Sequence, residues 1–420
     1  VEVTAHFIVA DVFAGLATLE TGSVDLVVTS PPFLALRSYL PADHPDKGKE
    51  IGSEATPAEF IDVLLRVTEE LRRVLAPHGS ICVELGDTYA GSGGAGGDYA
   101  DDGWREGQPV YAQRSVGDSK RGADARNLAN NSRGTKAGGA WPLAKSKTLI
   151  PELYRIALAY GFNPLTGTES PAGKWRVRNN VTWCRPNPPV GALGDKWRPA
   201  TSDLVVACMS GKRYWDGLAT RKPHKPESGG FTGGKQIGRR GDNGTDGDPS
   251  YRPEYEDRPL DSSGAPLLDY WEIPPTGFSG AHYAVFPPAL VEPLVKAMAP
   301  PKVCRECGEP SRRIVETQRT LDGEANDEIG SIYLNSPDGR SRAPQGVGHW
   351  RFATERQDLG WADCGHDNYR PALILDPFAG SGTTGLVATG YGHDAVLIDI
   401  DERNAVLAME RVGPFLMEIV

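Results

Sequence analysis

Short apolar runs that stop abruptly at an acid or a turn recur along the chain. Phe7-Ile-Val-Ala ends at Asp11, and Val24-Asp-Leu-Val-Val28 ends at Thr29-Ser30 and two prolines. Ser80-Ile-Cys-Val-Glu-Leu85 runs into Gly86-Asp-Thr-Tyr89, Leu373-Ile-Leu375 ends at Asp376, and Ala395-Val-Leu-Ile398 ends at Asp399. Runs this short and this apolar predict strands buried on both faces, the mark of a parallel sheet. Val177–Trp183 and Asp203–Met209 read as further strands. Helical spacing fills the intervals. Residues 11–19 predict a helix capped by Asp11, and residues 56–78 place Phe60, Leu64, Leu71 and Leu75 on one face, with Gly79 as terminator. Pro151–Tyr160 has proline in its first turn, and 289–298 is a further helix. The pattern predicts an α/β fold with a doubly wound, Rossmann-like sheet.

One strand end carries distinctive chemistry. Asp376-Pro377-Phe378-Ala379-Gly380-Ser381-Gly382-Thr383-Thr384 predicts a tight turn into a helix beginning near Thr384. A helix N-terminus offers N–H groups without intrahelical partners, and glycines let backbone approach a ligand closely. A nucleotide P-loop would need Gly-Lys-Ser/Thr, and no lysine follows Gly382. A small carboxylate therefore fits better than a triphosphate. Asp399 lies about 20 residues beyond the turn, the spacing at which Rossmann-type units grip ribose hydroxyls.

Composition changes the picture between these elements. Fifty glycines and 34 prolines in 420 residues predict long irregular segments. Residues 91–147 are glycine-rich and basic, with Arg114, Lys120, Arg121, Arg126 and Arg133 among them; a solvated linker and a phosphate-contacting insertion both suit them. Residues 216–265 form a second such stretch. A net charge of −10 argues against wholesale coating of nucleic acid, so any such contact must be local. Six cysteines do not suggest a secreted disulfide framework, and Cys82, Cys184 and Cys208 sit in apolar runs as buried thiols. No apolar run approaches the roughly 18 residues of a membrane helix, and no signal peptide is visible, which predicts a soluble cytoplasmic protein. Cys304-x-x-Cys307 with Cys364-x-His366 offers zinc-ligand types; a structural zinc and reduced thiols both remain open.

The sequence carries a family resemblance. Asp376-Pro-Phe-Ala-Gly-Ser-Gly-Thr-Thr resembles the S-adenosylmethionine motif of DNA amino-methyltransferases, and Thr29-Ser30-Pro31-Pro32-Phe33 resembles their catalytic motif in its N4-cytosine form. The catalytic motif precedes the cofactor motif, the order of the circularly permuted β group of prokaryotes and phages. Val24-Asp-Leu-Val-Val, Ile51-Gly-Ser-Glu, Leu85-Gly-Asp-Thr-Tyr89, Val181-Thr-Trp and His282-Tyr-Ala-Val-Phe286-Pro extend the likeness over most of the ordered chain. A family element, Asp-Arg-Pro followed by Ser-His-Glu, departs here to Asp195-Lys-Trp-Arg198-Pro199-Ala-Thr-Ser202-Asp203.

The resemblance implies a catalytic domain of 1–90, 148–215, 266–303 and 367–420, a basic flexible insertion at 91–147, a target-recognition insertion at 216–265 and a cysteine-containing insertion at 304–366. It implies S-adenosylmethionine as cofactor. Asp376 and Phe378 would bound its methionine end, Gly380 to Thr384 its carboxylate, Asp399 its ribose and Asp11 its adenine amine. Thr29, Pro377 and Ala379 line the same site, and Phe286 closes it. For Asp11 the helix cap and the ligand contact remain alternatives. Ser30 and the Pro31 carbonyl would accept hydrogen bonds from an exocyclic amine, Pro32 would stiffen the turn, and Phe33 would stack on a flipped base. Double-stranded DNA is the implied partner, with a cognate restriction endonuclease alongside; monomer and homodimer both stay open. Serine before Pro-Pro favours cytosine N4 over the alternative, adenine N6. A second alternative is a DNA-binding module with a vestigial cofactor pocket. C5-cytosine methylation is a poor fit, because no cysteine follows a proline in the chain.

Overall fold

A computed structural model describes residues 3–36, 39–41, 43–91, 137–188, 196–224, 261, 263–275, 285–322 and 351–420. Most of the basic insertion, most of the expected target-recognition insertion, Asp195 and His282-Tyr-Ala284 lie outside the described residues. The chain divides into two compact units: Val1–Asp216 with Leu268–Arg312 and Asp363–Val420, and Gly217–Leu267 with Arg313–Ala362.

The first unit is built on a sheet of nine strands among the described residues: β1 (Ala5–Val9), β2 (Val24–Thr29), β3 (Leu75–Leu85), β4 (Arg176–Cys184), β5 (Thr201–Cys208), β6 (Tyr270–Glu272), β11 (Leu373–Asp376), β12 (Asp394–Asp399) and β13 (Met417–Ile419). Their order is β13-β1-β12-β11-β2-β3-β5-β4-β6. Every pairing from β13 to β3 is parallel, and β5 is antiparallel to both β3 and β4.

Alternate side chains of the central strands serve opposite layers, which is what a doubly wound sheet requires. Val27, Ile81, Leu375 and Ile398 pack on one side with helices α1 (Val12–Ala17), α2 (Pro57–Val74) and α3 (Ile150–Tyr160). Leu26, Val28, Ile374 and Leu397 pack on the other with α4 (Pro288–Met298), α5 (Thr383–Gly390) and α6 (Glu402–Val412). From β11 the chain winds through α5 to β12; from β2 it winds through α2 to β3, in the opposite direction along the sheet. β2 and β11 are neighbours, with Leu26 opposite Ile374 and Val27 opposite Leu375. The point where the winding reverses therefore lies between them, where ligands of such sheets bind. The N-terminal β1 sits between β12 and β13, so the chain starts among its own last strands.

Three expectations change. The helix read over 56–78 ends at Val74, and β3 starts at the next residue. Gly79 is no terminator: a Cβ there would lie 3.0 Å from the Asp25 carbonyl oxygen and 2.6 Å from Leu75 Cδ1, so glycine is needed for close packing on β2. Cys82 and Cys208 are buried, but Cys184 is only partly so. The stretch 304–366 is shared between units, with the three cysteines and His366 in the first. The short strands β7 (Val303–Cys304) and β10 (Tyr369–Arg370) pair there, antiparallel.

In the second unit, β8 (Arg312–Asp322) pairs with β9 (Arg351–Ala362). Asp261 accepts hydrogen bonds there from Arg221, at 2.8 Å, and from Arg356. Among the described residues no helix is long and apolar enough to cross a membrane.

Candidate active site

The two sequence motifs, hundreds of residues apart in the chain, are joined by direct hydrogen bonds at the switch point. Asp376, at the end of β11, is fully buried and accepts from Thr29 Oγ1 and Thr384 Oγ1, each at 2.7 Å, and from Phe378 N–H at 3.1 Å. Thr384 Oγ1 also lies 3.3 Å from the Val28 carbonyl, which it can donate to. One carboxylate thus clasps the last residue of β2 to the first turn of α5. Burial pushes its pKa up to about 6, against the pull of those three donors.

The turn itself is shaped by Gly380 and Gly382, at φ +50° and +74°. A Cβ on Gly382 would come within 2.7 Å of Ala408 Cβ on α6, so the left-handed conformation and the close approach both require glycine. Gly382 caps α5 without a side chain, which leaves the first-turn N–H groups to a ligand. Asp399 fixes the turn from β12: its Oδ2 accepts from Gly380 N–H at 2.8 Å, and its Oδ1 from Asp401 N–H and Asn404 Nδ2, each at 2.9 Å. Burial raises its pKa as well. The Arg411 guanidinium donates to the Ser381 carbonyl, at 3.0 Å, and to Thr383 Oγ1, at 2.9 Å, adding positive charge beside the turn. Pro377 and Ala379 are buried beneath it, and Phe378 is partly buried.

The loop after β2 is equally constrained. Thr29 and Pro31 are buried, while Ser30, Pro32 and Phe33 are partly exposed. Ser30 Oγ donates to Glu84 Oε2 at 2.5 Å. Glu84 stands near the end of β3 and is 4% exposed. Its pKa is raised by burial, opposed by hydrogen bonds from Ser202 and Ser30 and by the charge of Arg185. Arg185 Nη1 donates to Ser202 Oγ at 3.2 Å, and its guanidinium lies 4.9 Å from the Trp183 ring centroid. The Phe33 ring rests on the backbone of Gly86, where a Cβ would come within 2.3 Å of it. Gly52, at φ +98°, backs Pro32 in the same way.

Asp11 and Phe286 sit at the margins. Asp11 Oδ1 caps α1 through Phe13 N–H, at 3.1 Å, and Ala14 N–H, at 3.0 Å, and Oδ2 pairs with Lys49 at 3.2 Å. The helix cap is realised. Phe286 packs against the cluster shared by α4, β2 and β11. Glu84, Arg185 and the role of Ser202 were missed from the sequence. A lone acid near the carboxyl end of an apolar strand was the available signal, the same one that marked Asp376.

Comparisons with known proteins give the family. The DNA methylase family model for N6 and N4 enzymes matches residues 24–304. The chain belongs to that family. It is 24% identical over 437 aligned residues to the type II methyltransferase M.SfiI of Streptomyces fimbriatus, covering 94% of this chain and 87% of the relative. It is 25% identical to M.Cfr9I of Citrobacter freundii, over 69% of this chain and 71% of that one. Among solved structures, the cytosine-N4-specific PvuII DNA methyltransferase aligns over 98% of this chain and 86% of its own, at 12% identity and a TM-score of 0.47. This DNA methyltransferase uses S-adenosylmethionine. Its residues fit that cofactor: an uncapped helix start behind two left-handed glycines suits a carboxylate, and a partly buried acid ends the next strand at the ribose spacing.

Proposed function

We propose that the protein methylates the exocyclic N4 amine of a cytosine flipped out of double-stranded DNA, as the modification partner of a restriction endonuclease. The observation that carries this reading is the Ser30–Glu84 hydrogen bond beside the cofactor turn. A hydroxyl is both donor and acceptor. With its proton committed to Glu84, Ser30 Oγ presents only lone pairs to the cleft and can accept from an amine N–H. Serine thereby does the work that an aspartate or asparagine before Pro-Pro does unaided, and serine at that position is what favours the N4-cytosine form.

The amine of cytosine is a poor nucleophile because its lone pair is delocalised into the ring. Hydrogen bonds from its N–H groups to Ser30 Oγ and the Pro31 carbonyl favour a pyramidal nitrogen, and the two prolines hold those acceptors in place beforehand. S-adenosylmethionine supplies an electrophilic methyl group when bound. Gly380 to Thr383 would receive its carboxylate, with Arg411 beside them, and Asp399 its ribose. Asp376 and Thr384 position rather than touch, because both are fully buried and bonded to each other, whereas Asp399 is partly exposed. The proton shed by the amine has a path through Ser30 Oγ to Glu84 Oε2, a carboxylate whose burial raises its proton affinity. Phe33, braced on Gly86, would stack on the flipped base.

Nucleoside mass spectrometry of DNA from cells expressing the protein tests the assignment. N4-methylcytosine is the expected product. N6-methyladenine alone would overturn the choice of base, and no modified base together with no S-adenosylmethionine binding by calorimetry would favour an inert DNA-binding module.

A further inference from the structure

Four metal-ligating side chains outside the cleft, from two distant stretches of the chain, converge on one point. The ligand atoms of Cys304, Cys307, Cys364 and His366 all lie within 4.8 Å of one another. We propose that they hold one structural zinc ion.

The distances suit it. Zinc–sulfur bonds of about 2.3 Å and zinc–nitrogen bonds of about 2.1 Å at tetrahedral angles put sulfur and nitrogen about 3.5 Å apart. Cys304 Sγ and Cys364 Sγ each lie 3.4 Å from His366 Nδ1.

The backbone is shaped for thiolates. The Cys304 turn closes through Gly308 N–H to the Cys304 carbonyl and Cys304 N–H to the Glu309 carbonyl, both at 3.0 Å, with Gly308 at φ +73°. The Glu306 amide donates to Cys304 Sγ at 3.4 Å. Sulfur is a weak acceptor unless it carries charge, so this contact suits an anionic sulfur. Gly365, at φ +80°, turns the chain between Cys364 and His366. On the far side of the imidazole, His366 Nε2 faces the Glu306 carboxylate at 3.9 Å, an ion-pair and not a hydrogen-bond distance, and Nδ1 is the atom turned toward the cysteines.

Three thiolates and an imidazole select zinc over magnesium, calcium or manganese. Four protein ligands complete the tetrahedron, so the ion has no open position for chemistry. Its role follows from connectivity. The ligands bracket residues 313–362, and Tyr369 pairs with Cys304 across β10 and β7. The next residue, Arg370, pairs with the buried Asp25 on β2. The ion thus ties the Cys304–Cys307 turn to the Cys364–His366 turn, beside the strand that leads into Ser30.

Metal analysis of the untagged full chain, grown with added zinc, tests the site. About one zinc ion per chain is expected, with three sulfurs near 2.3 Å and one nitrogen near 2.1 Å by X-ray absorption. Cys364→Ser should lose most of the zinc. If that variant fails to fold, cobalt exchanged into the unmodified protein should give thiolate charge-transfer bands and the strong visible bands of a tetrahedral site. Folded protein that binds S-adenosylmethionine but holds no zinc, a disulfide among the three cysteines, or full zinc retention by a folded Cys364→Ser protein would each overturn the proposal.

Discussion

The ends of β11 and β2 lie side by side, and each borders a buried acid that it uses differently. On the cofactor side, Asp376 is saturated by Thr29, Thr384 and the Phe378 amide, all from the protein itself. On the catalytic side, Glu84 holds a hydroxyl that faces the cleft and keeps a charged neighbour, Arg185, beyond Ser202. Burial raises the proton affinity of both. Under the proposed mechanism, a raised carboxylate is not by itself a catalytic sign. What its hydrogen-bond partners are free to do decides between a clasp and a reacting pair.

Ser30→Ala probes the reacting pair most severely. Losing the acceptor should lower the methyl-transfer rate by about 100-fold or more, the scale of a positioned proton-transfer or polar group. S-adenosylmethionine affinity, measured by calorimetry, should be nearly unchanged, because Asp376 and Thr29 keep the turn in place. A parallel loss of affinity would erase the distinction between the two ends.

Asp376→Asn probes the clasp through stability. The Asp376 pKa is about 6 in the fold against 3.8 ordinarily. A raised folded value stabilises fully below the unfolded pKa, and that stability is lost as pH rises through the folded pKa. Wild-type stability from this group should therefore decline between about pH 4 and pH 6, by up to about 3 kcal/mol. The asparagine variant lacks that decline, so its stability relative to wild type should rise over the same window in denaturant titrations. A flat difference would mean that Asp376 is not held neutral by burial.

Much of this cleft was legible in the sequence, because parallel strands buried on both faces leave an unmistakable run and their ends carry the chemistry. The neighbouring of β2 and β11, the turn at Gly380–Gly382 and the Asp11 cap were all readable. Glu84 was not, since its meaning comes from Ser30 and from Ser202 on the antiparallel β5, contacts that no local pattern encodes. The end of α2 was misplaced for a similar reason. Leu75 keeps the helical spacing, but Pro77 cannot continue a helix, and His78 bonds Asp25 at 2.9 Å while Gly79 packs against β2, which draws residues 75–79 into β3. Asp25 itself was passed over inside an apolar run. Burial opposes its charge, yet His78 and Arg370 outweigh that and hold its pKa below the ordinary value.

The pH dependence of single-turnover methyl transfer, in wild type and in Glu84→Gln, tests the central claim most directly. If Glu84 must be ionised to take the Ser30 proton, the wild-type rate should fall on the acid side with a midpoint above the ordinary glutamate value of 4.5. The glutamine variant should be slower by about 10- to 100-fold and should lack that limb. A wild-type profile with its acid midpoint at or below 4.5, or a variant that keeps the wild-type limb and rate, would contradict the account.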